Sequence, residues 1–109
     1  MDIQESDWKV FRRLREPALE RYCERVLKDV DRLVHKSGST YHERYLELWK
    51  LLRDRDKTLA VAFDDPKRSQ AVIQLANIDA EELLTKDELK QFSDDLRDRL
   101  EAFRSLRNS

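Results

Sequence analysis

The sequence predicts an all-α fold, a compact helical bundle of two long and several short helices. Three observations carry that expectation. A single glycine and two prolines in 109 residues leave little material for strand hairpins or long irregular loops. Leu, Arg, Glu, Lys and Ala, all good helix formers, are abundant. Hydrophobic residues make up 39% of the chain against 41% charged, so a core forms only if the apolar positions are sorted onto one face of each element. They recur at steps of three and four, as that sorting requires.

At the N-terminus, Ser6 or Asp7 can open a first helix whose apolar stripe is Trp8, Phe11 and Leu14, with Val10 beside it. Pro17 has no N–H to give, and its ring clashes with the carbonyl four residues back, so a kink or break is expected there. That sets off residues 6–16 as a short helical arm on a single domain spanning residues 1–109. Ala18, Leu19, Tyr22, Cys23, Val26, Leu27, Val30, Leu33 and Val34 then mark a long amphipathic helix, with Gly38 as a left-handed stop after it.

Thr40 and Glu43 fit a capping box that opens the second long helix. Tyr41, Tyr45, Leu48, Trp49, Leu52, Leu59 and Phe63 are expected on its buried side, while residues 53–58 alternate in sign and read as a solvated face. Asp65 as cap and Pro66 in the first turn are expected to open a third helix burying Ala71, Val72, Leu75 and Ala76. Capping-box spacings recur at Asp79 with Glu82 and at Thr85 with Glu88, and Ser93 can cap a last segment carrying Leu96, Leu100 and Phe103.

Several function classes find little footing. Twenty-two basic and 23 acidic residues give a net charge of −1, so no global field draws the chain to nucleic acid or an anionic membrane. The lone Cys23 excludes an internal disulfide and suits a reducing compartment. The start, Met1-Asp2-Ile3-Gln4-Glu5-Ser6, lacks the basic flank and apolar run of a secretory signal, and no window has the apolar length of a membrane span. Cytoplasm is the expected compartment. Cys23, His35 and His42 have no paired metal-ligand spacing, so no metal or cofactor is expected, and a Cys–His nucleophile would need tertiary folding to assemble. One glycine rules out a glycine-rich phosphate loop.

Three surfaces are candidates. Trp8, Phe11 and Leu14 need a cover supplied by the same chain, a second copy or another protein. A polar corner gathers Asp56, Asp64, Asp65, Arg68 and Ser69, either as a rigid capped junction or as a small ligand-binding or catalytic site. Arg12, Arg13, Arg15, Arg21 and Arg25 offer positive charge for phosphates, but Glu16, Glu20 and Glu24 are interleaved with them where a nucleic-acid surface shows a one-signed stripe.

Glu43-Arg44-Tyr45-Leu46, Arg55-Asp56, Leu59-Ala60, Ala62-Phe63-Asp64-Asp65, Arg68-Ser69, Gln74-Leu75-Ala76, Leu84-Thr85 and Phe92-Ser93 carry a resemblance over residues 41–97. The pattern resembles a small uncharacterised bacterial all-helical protein family, sometimes labelled as peptide-transporter substrate-binding proteins. The resemblance implies a compact helical fold and no particular activity. The transport label implies a two-lobed receptor, which does not fit 109 residues. The expected function is a non-enzymatic interaction or regulatory module whose partner is another protein or a second copy. A ligand-binding protein or enzyme built on the polar corner is the alternative, and a nucleic-acid binder built on the N-terminal arginines the second alternative.

Overall fold

Pro17 lies inside an unbroken helix. In the computed structural model, which describes residues 3–108, α1 runs over Glu5–Val34 for 30 residues and passes through the proline. Met1 and Asp2, part of the sequence-based reading of the start, lie outside the described residues. A proline within a helix costs about 3 kcal/mol in lost hydrogen bonding and steric conflict. Tertiary packing on both flanks offsets that cost, because Phe11 and Leu14 before it and Ala18 and Tyr22 after it are all buried in one core. The expected break is therefore absent, and residues 6–16 are the opening turns of α1 rather than a separate arm.

The core occupies one end of the molecule. The N-terminal half of α1 packs there with Ala62 and Phe63, the last turn of α2 (Tyr41–Phe63), and with α3 (Ala71–Ala80), which buries Ala71, Val72, Leu75, Ala76 and Ile78. The short α4 (Lys86–Leu89) and α5 (Asp94–Asn108) close it, with Leu83, Phe92, Leu96 and Leu100 pointing inward. Local caps set these last elements. Thr85 and Glu88 form the reciprocal capping box, and Ser93 Oγ accepts from the Leu96 amide at the start of α5. Asp7, buried in the first turn of α1, accepts from both the Ser93 amide at 2.8 Å and the Ser93 hydroxyl at 2.6 Å, so the two ends of the chain are tied together.

Three expected helix starts fall elsewhere. Helix α1 begins at Glu5 with Gln4 at its N-cap, so Ser6 and Asp7 lie inside its first turn. Asp65 does not cap α3: it adopts a left-handed φ of 47° after Asp64 ends α2, and a 3-10 turn over Arg68–Gln70 precedes α3 at Ala71. Asp79 is no cap either. It lies in the last turn of α3, buried, and receives both Nε and Nη2 of Arg104 at 2.8 and 2.9 Å. The same acidic spacing thus serves a bidentate ion pair, a geometry for which guanidinium and carboxylate are matched.

Beyond Tyr22 in α1 and before Ala62 in α2, no described residue is buried. Here α1 and α2 form a helical hairpin, turned at residues 35–40, where Gly38 takes the left-handed φ of 81°. The part of α1 past Tyr22 rises about 18 Å at roughly 1.5 Å per residue. The result is elongated, 52 × 29 × 24 Å with a radius of gyration of 16.5 Å. A compact domain of this length has roughly 13 Å. The expected bundle is thus confined to one end.

Candidate functional site on the helical hairpin

Thr40 starts α2 by accepting from the Glu43 amide, which fixes the phase of the helix. From that start Tyr45, Trp49, Leu52 and Asp56 recur at steps of four, three and four and share one face, with Arg53 at its edge. The expectation that these aromatic and leucine side chains are buried is overturned: Trp49 is 62% exposed, Tyr45 57% and Leu52 44%, while Leu48 is half-buried, Leu59 is half-buried against the core, and Phe63 alone of the set is fully buried. The Trp49 indole N–H donates to the Tyr45 hydroxyl at 3.1 Å, so the ring's polar atom is satisfied and its apolar surface is what meets solvent. Tyr45, Trp49, Leu52, Arg53 and Asp56 line one depression. Leu52 and Asp56 continue into a second, shared with Cys23, Val26 and Leu27 of α1, so the apolar strip crosses from one helix to the other.

Polar links between the two helices hold the hairpin. The Tyr22 hydroxyl donates to the Arg55 carbonyl at 2.9 Å, Arg55 pairs with Asp29 at 2.8 Å, and Asp29 also accepts from Arg32. Near the turn Arg44 donates to the Val34 carbonyl, its guanidinium 4.7 Å from the Tyr41 ring centre, and Lys36 approaches Glu47 at 3.4 Å. At the base, the Tyr22 and Phe63 rings meet 6.3 Å apart, and burial pushes the Tyr22 hydroxyl above its ordinary pKa. These links fix the distance between the helices. They leave the Leu27–Tyr45–Trp49–Leu52 strip with nothing over it among the described residues.

The sequence-predicted surfaces are placed differently. Phe11 and Leu14 are core residues, and Trp8 is half-buried with its ring stacked on Phe11 at 5.6 Å, so this stripe is covered by the chain itself. The polar corner does not gather its residues. Arg68 turns to the N-terminus, donating to the Ile3 carbonyl at 3.1 and 3.0 Å and pairing with Glu5 at 2.6 Å. The Asp64 carbonyl accepts from Gln74 at 2.7 Å, and Asp65 pairs with Lys67 at 3.1 Å. Asp56 belongs to the hairpin face, and Ser69 is exposed in the 3-10 turn.

Most of the N-terminal arginines are cross-links as well. Arg13 bonds Gln91, Arg15 bonds the Phe63 carbonyl, and Arg25 donates to the Glu81 carbonyl at 2.8 Å. Arg21 grips Glu88 at 2.7 and 3.1 Å and the Leu83 carbonyl at 2.7 Å, which holds the Glu88 carboxyl below the usual carboxylate range. Arg12 lies 5.9 Å from the Trp8 ring centre. Among the described residues no three His, Cys, Asp or Glu side chains converge as metal ligands. Cys23 is half-buried beside the strip, and His35 bonds the Asp31 carbonyl one turn back at 2.8 Å. No helix of the described residues is long and apolar enough to cross a membrane.

Compared with family models, curated proteins and solved structures, the chain matches none.

Proposed function

We propose that this chain is a non-enzymatic protein-interaction module that receives an amphipathic helix on the Tyr45–Trp49–Leu52 face of its hairpin. The single observation that supports this reading is the row of large apolar side chains left open on a hairpin that buries none of its own residues. Full burial of one such side chain contributes roughly 1.5–3 kcal/mol, so covering the row is worth several kcal/mol to the complex. Aromatic residues are the usual energetic centres of such contacts. The shape selects the occupant: a strip running along a helix axis, apolar in the middle and bordered by Arg53 and Asp56, suits a second helix with an apolar stripe and charged margins.

The test uses Trp8→Phe, which leaves Trp49 as the sole tryptophan. Titrating this variant with a synthetic Leu/Lys amphipathic helical peptide is expected to shift Trp49 emission to the blue with saturation, and Leu52→Asp is expected to abolish the shift. A peptide that leaves the emission unchanged, or shifts it equally with Leu52→Asp, contradicts the reading.

A further inference from the structure

Resting on that reading, we infer that the helix seated on this face is α2 of a second copy of the chain, laid antiparallel about a two-fold axis passing beside Trp49. An isologous contact requires a face complementary to itself, each residue a given number of places after the axis meeting the residue the same number of places before it. The α2 face meets that requirement. Trp49 meets its own twin at the centre. Three places out, Leu52 faces Leu46 of the second copy, and both are exposed, at 44% and 52%. Four places out, the Arg53 guanidinium comes within reach of the Tyr45 ring, a cation–π pairing. Seven places out, Asp56 faces His42, both exposed in the single chain. Each off-axis pairing occurs twice, so the apolar centre is flanked on both sides by complementary rather than like groups. A parallel arrangement sets Arg53 against Arg53 and Asp56 against Asp56 and loses that match. A net charge of −1 per copy adds almost no global repulsion between the two.

The experiment is sedimentation equilibrium of the full chain over a wide concentration range, with variants at exposed positions that do not disturb the core. The wild type is expected to move from 13.1 kDa toward twice that mass as concentration rises. Trp49→Asp is expected to remain at the lower mass. His42→Asp places two carboxylates opposite each other and Asp56→Lys removes the carboxylate that accepts from the His42 imidazole N–H, so each alone is expected to dimerise at least tenfold more weakly. An equimolar mixture of the two is expected to regain dimer. In the mixed dimer the carboxylate introduced by His42→Asp faces the ammonium introduced by Asp56→Lys, while the other half of the interface keeps its native His42 and Asp56. Three results overturn the inference. They are a dimer indifferent to Trp49→Asp, a Trp49-dependent dimer that the mixture fails to restore, and a monomer at every concentration. In the last case, a Trp49 emission shift with the Leu/Lys peptide leaves the docking face standing and removes only the second copy, whereas no shift removes both.

Discussion

The packed end and the hairpin are built from the same apolar spacing, yet one hides its stripe and the other displays it. At the packed end a third layer exists: α3 and α5 lie against α1 and the end of α2, so side chains such as Phe11, Phe63, Leu75 and Leu100 are covered on all sides. In the hairpin α1 and α2 have only each other. Two helices cover one side of each, and any apolar residue about a quarter-turn away from the shared seam is left open. The difference lies in how many layers meet, since the helices themselves are continuous across both regions.

The comparison breaks most simply with a pair of truncations, one in each region. Phe63→Ala at the packed end removes a ring in contact with Tyr22 and is expected to cost about 3–5 kcal/mol in urea unfolding. Trp49→Ala in dilute solution is expected to change stability by no more than about 0.5 kcal/mol despite the larger side chain, because its ring has little to lose. Equal costs at the two positions would mean that the hairpin is packed in the same way as the core.

A smaller effect sharpens the account of how the packed end is tied. Asp7→Ala leaves the Ser93 amide without its side-chain acceptor and is expected to cost about 1–3 kcal/mol. Hydrogen exchange in this variant is expected to quicken in α5 and the first turns of α1 while the hairpin amides stay at their wild-type rates. Quickened exchange in the hairpin as well would show the two regions to be one cooperative unit.

The smallest effect concerns pH. Hydrogen bonding to Arg21 lowers the folded pKa of Glu88, so its stabilising contribution is fully present above the ordinary carboxylate range and is lost as pH falls through the lowered folded value. Glu88→Gln is expected to lose under about 1 kcal/mol at neutral pH, with Arg21 partly exposed and screened, and to show a shallower fall in stability on acidification than the wild type. Parallel acid limbs in the two proteins would contradict that assignment.

Much of the fold was legible because its signals are local. The caps at Thr40, Thr85 and Ser93 need only a few neighbouring residues to work, and they stand where their spacing put them. What sequence could not supply is what lies across the chain. Pro17 continues a helix because buried residues on both flanks outweigh the lost hydrogen bond and the ring clash. Asp79 has a capping spacing, yet it serves Arg104, 25 residues on. The arginines at positions 13, 15, 21 and 25, which in sequence offered positive charge for phosphates, are instead stitches to carbonyls and side chains of other elements. The candidate site escaped for a related reason. Periodicity tells which residues share a face, and Tyr45, Trp49 and Leu52 do, but it does not tell whether another helix of the same chain covers it. The charged margin at Arg53 and Asp56 was the available signal, because charges at the border of an apolar stripe mark where it meets water.

Accessibility of Trp49 tests the central claim most directly. In the Trp8→Phe protein, acrylamide quenching at high dilution is expected to be near that of free indole and to fall as the protein is concentrated. A tryptophan already shielded in the dilute monomer, or equally accessible at every concentration and in the presence of the helical peptide, would contradict an open face that takes a helix.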